Sequence, residues 1–248
     1  MSRPLTLLFA VASGAAVGKL YWAQPLLDLI ARDLGVSTAT AGWLVTTRAA
    51  IPRTGAGIAF IHGEIEPKIA EMDGNKGFAM AVDHSSGRYL GIAAWTDPEA
   101  LETSGRGGPG LIADVARHLQ GSEPSVEVFD LALASVVKPV RIGYWGRLTR
   151  FGVPAGDLDR AERKFRQLAL AWFERYDGHA VTILFVDRAA GVLGSMFWFD
   201  SVHALRGSAS RTQEMRDLLV QEVPTVRVHE DFEVQAVIAE MGDLTSTV

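Results

Sequence analysis

The chain has 248 residues, of which 48% are hydrophobic and 21% are charged, and its formal net charge is −5 at pH 7. This composition is typical of a globular protein with one large domain or two domains of ordinary size. Because the charge is mildly acidic and the chain carries no basic block, the composition excludes nucleic acid as an expected partner. The lack of cysteine excludes disulfides, thiolate nucleophiles and cysteine-ligated zinc.

The first residues form an apolar segment. No charge occurs from Pro4 to Gly18, Lys19 interrupts the run, and a second apolar stretch continues to Arg32. A membrane-spanning helix needs about 20 apolar residues. A span over residues 5–29 therefore requires Lys19 to face protein or water, at a cost on the order of a few kcal/mol.

Residues 20–46, LYWAQPLLDLIARDLGVSTATAGWLVT, resemble the first transmembrane helix, the following loop and the start of the second helix of a major facilitator superfamily transporter. Lys19 and Trp22 depart from the usual pattern, which has Asn and Tyr there. The resemblance covers about the first 47 residues, and no later segment is apolar enough for another span, so transport is not predicted.

Several interpretations of residues 1–42 stay open. The segment is a fused transporter remnant, a membrane anchor over residues 5–29, a signal peptide with Arg3 before the apolar run, or a soluble helix. We expect a cytoplasmic protein, with a membrane-anchored protein as the alternative.

The rest of the chain contains an internal repeat. A constant shift of 104 residues places Asp73-Gly74 on Asp177-Gly178, and a shift of 102 places residues 46–55 on residues 148–157. Near the end of each copy a shift of 100 places Pro124 on Pro224. Such a repeat is typical of a duplicated supersecondary unit. It predicts two units, over residues 43–138 and 139–248.

Each predicted unit begins with a strand and a helix. The strand is WLVTTRAA (43–50) in the first unit and IGYWGRLTRF (142–151) in the second. Apolar residues then recur at helical spacing from Ile58 to Met72 and from Leu158 to Trp172. Pro67 weakens the first of these helices. An Asp-Gly turn, which suits a helix exit with positive φ, follows in both units.

A hairpin, a second helix and a last strand complete each unit. The hairpins cover residues 77–95 and 180–199, with turns at Asp83 and Asp187. The order βαββαβ, found twice, predicts an α+β protein made of two ferredoxin-like units, with an extra N-terminal apolar helix. Because such a unit covers only one face of its sheet with helices, we expect the two sheets to pack face to face.

This order resembles the dimeric α+β barrel superfamily, in particular the antibiotic biosynthesis monooxygenase type of domain, over about residues 43–241. Single-copy relatives pair as homodimers, so the resemblance implies that one chain supplies both halves and that barrel closure requires no oligomer. It also implies a pocket between sheet and helices that takes an unidentified small molecule. The protein is then a cofactor-independent, monooxygenase-like enzyme or a non-catalytic ligand-binding or interaction barrel. The Asn, Trp and His set of the haem-degrading members cannot be placed on this chain.

Five residues are candidates for lining this pocket: Trp95, Trp145, Trp198, Arg48 and Arg150. Tryptophans at strand positions either line an aromatic cavity or form plain core. Arg48 and Arg150 occupy equivalent strand positions, so they either clamp an anionic ligand or simply reflect duplication. No catalytic residue is assigned.

Other chemical signals are weak. His62 on the first helix is either a general base or a surface histidine. No two histidines stand four residues apart, so no metal site is predicted, and no cofactor is implied. The glycine-rich stretch at residues 105–110 lacks the spacing of a phosphate-binding loop.

Overall fold

Eight antiparallel strands form one sheet that closes into a barrel. The computed structural model describes residues 41–48, 54–119, 125–173 and 175–241. The predicted apolar helix and anchor over residues 5–29 lie outside these residues and stay predictions. The strands are β1 (Ala41–Arg48), β2 (Asn75–Asp83), β3 (Arg88–Trp95), β4 (Ser125–Val136), β5 (Trp145–Gly152), β6 (His179–Asp187), β7 (Val192–Phe199) and β8 (Arg227–Met241).

The barrel consists of two four-stranded halves with the same strand order. The first half runs β4-β1-β3-β2 and the second runs β8-β5-β7-β6, and the halves join where β2 pairs with β8 and β4 pairs with β6. The predicted α+β class is confirmed. The interpretation of the halves as a duplication, with boundaries at 43–138 and 139–248, stays a prediction.

Helices pack against the outer face of the sheet in both halves. The first half has α1 (Thr54–Phe60), a π-helical turn (Ile61–Ile65), α2 (Glu66–Ala70) and α3 (Pro98–Leu119). The second half has a 3₁₀ turn (Ala155–Asp157), α4 (Leu158–Phe173), α5 (Val202–Gly207) and α6 (Ala209–Glu222). Of the helices in the described part of the chain, none is long and apolar enough to cross a membrane.

The predicted weakness at Pro67 coincides with a change of helix type. Pro67 has no N–H to donate to the Gly63 carbonyl, and its ring crowds that carbonyl, so a regular helix cannot continue through this point. The wider π-helical turn lies immediately upstream, and α2 begins at Glu66. The apolar stripe nevertheless survives, because Ile61, Ile65 and Ile69 are all buried.

Both predicted Asp-Gly turns have the expected backbone. Gly74 has φ of 74° and Gly178 has φ of 83°, in the region that favours glycine. A Cβ atom at Gly74 would lie 2.6 Å from Cβ of Ala100, and one at Gly178 would lie 2.5 Å from Cβ of Ala204. Glycine is therefore required twice over, for its φ angle and for the close approach of the next helix.

Apolar side chains from both halves fill the barrel interior. This interior cluster is separate from the two clusters that lie between helices and sheet. Its larger buried members are Leu90, Phe129, Leu148, Phe185, Met196 and Trp198. A barrel of eight strands has an interior that side chains can fill. The interior is consequently a packed core in which each half covers the apolar face of the other.

Two glycines make room for the large interior side chains. A Cβ atom at Gly194 would overlap Cε2 and Cζ of the Phe185 ring. A Cβ atom at Gly146 would lie 2.7 Å from Cε of Met196 and 2.9 Å from Cε3 of Trp198. These separations are shorter than any van der Waals contact, so the ring positions depend on glycine.

Gly194→Ala should therefore destabilise the barrel. The new methyl group overlaps the rigid Phe185 ring in a packed interior, and such overpacking costs about 1–3 kcal/mol of unfolding free energy. The measurement is urea denaturation of the full chain. Gly156→Ala is the matched control, because, apart from Gly156 itself and its chain neighbours, no atom lies within 4 Å of the point that its Cβ would occupy. An unchanged unfolding free energy for Gly194→Ala would contradict the interior packing described above.

Candidate functional site

The three candidate tryptophans lie in three different parts of the fold. Trp198 is fully buried in the barrel interior. Trp95 is fully buried between the sheet and helices of the first half. Trp145 is partly buried and packs against the core between sheet and helices of the second half. The structure therefore does not bring these three side chains together in one pocket.

Arg150 belongs to a group of charged side chains at one end of the barrel. This arginine cluster consists of Arg88 on β3, Glu127 on β4, Arg150 on β5 and Glu230 on β8. Nη1 of Arg150 lies 2.9 Å from Oε1 of Glu127 and 3.2 Å from Oε2 of Glu230. Nη1 of Arg88 donates to the other oxygen of Glu230. The cluster thus ties four strands together through ion pairs.

The backbone of Arg48 reaches the same end of the barrel. Arg48 lies opposite Arg88 in the register between β1 and β3. Arg150 lies opposite Glu230 in the register between β5 and β8. The backbones of Arg48 and Arg150, the two arginines singled out from the sequence, therefore lie at the same end of the barrel. Among the side chains that the structure describes, Arg88 supplies the second guanidinium group of the cluster.

A groove with a volume of about 620 Å³ opens between the helices of the first half. Its lining comes from α1, α2 and α3 and consists of Ala56, Gly57, Phe60, Lys68, Asp114, Arg117 and His118. The rings of Phe60 and His118 stack with their centroids 3.9 Å apart and an interplanar angle of 6°. The stacked pair therefore gives the groove an aromatic wall.

Charged groups stand beside this aromatic wall. Nη1 of Arg117 lies 2.6 Å from Oδ1 of Asp114, and Nζ of Lys68 lies 3.8 Å from Oε2 of Glu64. Lys68 and Arg117 are both largely exposed, so their pairs are weak and easily exchanged. Of the lining side chains, two are cations and one is a carboxylate, which favours an anionic ligand.

His62 has a carboxylate partner that the sequence analysis did not assign. Its Nδ1 lies 2.5 Å from Oε2 of Glu66, four residues later on the chain. Glu66 is buried while the histidine ring is exposed. The pair orients the ring, and the His-Glu spacing of four residues was the signal that could have predicted it. Within the described residues, no group of three or more His, Asp or Glu side chains is placed to hold a metal ion.

These features define the class of protein: a closed α+β barrel with a helix-lined groove outside and a charged cluster at one barrel end.

No family model matches the chain. Sequence comparison finds the uncharacterized protein Rv2558 of Mycobacterium tuberculosis, 32% identical over 169 residues, which are 67% of this chain and 71% of that protein. The chain belongs to the family of this mycobacterial protein. The protein Rv2557 of the same organism is 28% identical over 186 residues, 73% of this chain and 83% of that protein.

Two solved structures share the fold. An anthrone oxidase-like protein superposes with a TM-score of 0.61 at 14% identity, covering 84% of this chain and 95% of its own. A heme-binding protein from Thermus thermophilus superposes with a TM-score of 0.51 at 10% identity, and the match covers 80% of this chain and 91% of that protein. At these identities the likeness establishes the fold alone. The shared fold is the α+β barrel.

A transporter also matches part of the sequence. The uncharacterized transporter YgaY of Escherichia coli O157:H7 is 44% identical over 61 residues, which are 25% of this chain and 15% of the transporter. The match is partial, and the apolar helix predicted from the transporter resemblance lies outside the described residues. That helix stays a prediction.

His179, which the sequence analysis did not single out, is a buried titratable group in the second half. It packs against the rings of Phe173 and Phe199, and its Nε2 lies 2.9 Å from Oγ1 of Thr182. Burial lowers its pKa from the usual 6.5 to about 4, with a smaller contribution from the charge of Lys138. The imidazole is consequently neutral in the folded protein at pH 7.

This histidine should make stability depend on pH. Below pH 6.5 the unfolded chain takes up a proton that the folded protein does not bind until about pH 4, so acid favours unfolding. Between pH 7 and pH 5 the wild-type protein should lose about 2 kcal/mol more unfolding free energy than His179→Leu. Urea denaturation at both pH values measures this difference. His203→Leu, at an exposed position, should keep the wild-type pH dependence, and an identical slope for His179→Leu would contradict the assignment.

Proposed function

We propose that this protein binds a small planar molecule with an anionic group in the groove between α1, α2 and α3. The observation that carries the proposal is the stacked Phe60–His118 pair, which stands in the same groove as Lys68 and Arg117. The groove volume of about 620 Å³ falls within the range of about 300–1,000 Å³ that small-molecule sites occupy.

The aromatic wall selects the shape of the ligand. Each ring of a stacked pair keeps one outer face, against which another flat ring system stacks with a gain of about 0.5–1.5 kcal/mol beyond its buried area. A flexible aliphatic ligand gains no such stacking. The wall therefore favours an aromatic or fused-ring molecule.

The cations select the charge of the ligand. Asp114 neutralises part of the field of Arg117, whereas Nζ of Lys68 lies 3.8 Å from Oε2 of Glu64, too far for a hydrogen bond. An anionic group on the ligand can replace these weak intramolecular pairs. The two structural neighbours are named for anthrone oxidation and for heme binding, and both names refer to planar ring systems, which supports a planar ligand here by analogy of fold.

2-Naphthoate is a suitable probe, because it combines a fused ring with one carboxylate. Isothermal titration calorimetry of the full chain should show saturable binding. Phe60→Ala should raise the dissociation constant about 2- to 10-fold, since it removes half of the stack. Arg117→Gln should raise it about 2- to 5-fold at low salt, an effect that falls as ionic strength rises.

Two controls separate shape from charge. Arg163→Gln removes an exposed arginine on α4, away from the groove, and should leave binding unchanged. Binding of the uncharged 2-naphthamide should respond to Phe60→Ala and not to Arg117→Gln. If Phe60→Ala binds 2-naphthoate as tightly as the wild type, the groove is not the binding site.

Cofactor-independent oxygenation is the second candidate function, because the groove contains a base. His118 could accept the proton that an activated C–H group such as that of anthrone loses, after which O₂ oxidises the carbanion. Anthrone and O₂ would give anthraquinone and water. Oxygen uptake in the presence of anthrone tests this reaction. Loss of the uptake in His118→Gln would support it, and wild-type uptake no faster than the uncatalysed rate would leave binding alone as the function.

A further inference from the structure

The arginine cluster uses the donors of Arg150 unevenly. Nη1 alone serves both carboxylates, those of Glu127 and Glu230. Nε and Nη2 of Arg150 are buried and have no hydrogen-bond partner among the described residues. A guanidinium group that leaves buried N–H donors unpaired loses free energy relative to one with all donors bonded.

The two unpaired nitrogens form one edge of the guanidinium group. Nε–H and one N–H of Nη2 point the same way in the plane of the group, at a spacing that matches two oxygens of a carboxylate or phosphate. Lysine cannot reproduce this fork, because its ammonium is a point charge. We propose that this edge of Arg150 binds the carboxylate or phosphate group of a small molecule at the end of the barrel.

Glu230 and Arg88 hold Arg150 in place for this role. Glu230 pairs with both arginines, one through each of its oxygens, so it fixes the two guanidinium groups relative to each other. The side chain of Arg150 is only 16% exposed. An anion held there is therefore shielded from water, and its bonds to Arg150 are strengthened.

Glu127 places a negative charge beside the site. Its side chain is 34% exposed, and Arg150 is the only ion-pair partner it has in the described part of the chain. It pairs with Nη1 and leaves the Nε–Nη2 edge unpaired, but its carboxylate repels an anion that approaches the same guanidinium group. Glu127 therefore weakens the binding of the ligand through its charge.

This site is independent of the groove proposed above. The cluster lies on the strands at one barrel end, whereas the groove lies between helices of the first half, so no residue is shared. Either proposal can fail without the other.

Calorimetric titration of the full chain with inorganic phosphate and, in a separate arm, with acetate tests the proposal. Arg150→Lys keeps the charge but removes the fork and should weaken binding at least about tenfold. Glu127→Gln removes this negative charge and should tighten binding roughly 3-fold or more. Arg163→Lys, at an exposed position on α4, should bind both probes as the wild type does. The arm with the tighter binding identifies which oxyanion the fork prefers.

The two variants act in opposite directions, so general loss of structure cannot imitate the expected pattern. Should Arg150→Lys fail to fold, Glu127→Gln decides the question alone, because it retains the complete guanidinium group. Failure of the wild-type protein to bind either probe at millimolar concentration overturns the proposal. Equal or weaker binding by Glu127→Gln overturns it as well.

Discussion

The burial of two apolar sheet faces against each other is the interaction on which the rest of the structure depends. Each four-stranded half carries helices on one face only, so its second face would meet water if the half stood alone. Closure through the β2–β8 and β4–β6 pairs removes every sheet edge and covers both faces at once. The interior side chains fit because Gly146 and Gly194 leave room for Trp198 and Phe185. Since such packing tolerates little change of volume, the barrel is a rigid frame for the side chains at its ends and on its outside.

That frame explains where chemistry can occur. Apolar side chains occupy the interior, and the charged and aromatic groups of interest lie at one end of the barrel and on its outside. At one end of the barrel, a single cluster contains side chains from four strands that are distant in sequence: Arg88, Glu127, Arg150 and Glu230. Outside, the first helical layer is broken by the π-helical turn before Pro67, whereas α4 in the second half runs without a break over Leu158–Phe173. The two halves therefore share a strand order but not a helical surface, and the groove described here lies on the interrupted side.

Family and fold together narrow the function without naming a substrate. Membership in the Rv2558 family rests on similarity over two thirds of the chain, and the structural neighbours establish the α+β barrel. A fold of this kind hosts more than one activity, so function has to be argued from side chains. The proposed flat ligand rests on the stacked Phe60–His118 pair, and the proposed oxyanion site rests on the fork of Arg150. Neither feature depends on the interpretation of residues 1–42.

Local patterns in the sequence determined the strands, the amphipathic helices, the Asp-Gly turns and the place where Pro67 disturbs a helix, because these depend on residues close together in the chain. The tertiary structure decided which face of each strand points inward. Alternation along a strand defines two faces but does not say which one meets the other half. For this reason Trp198 and Trp145 lie in different clusters although both are strand residues. Glu127 and Glu230 also lie beside Arg150 only in the folded barrel. No spacing in the sequence could have predicted these contacts, because they depend on the register of strands around the closed barrel.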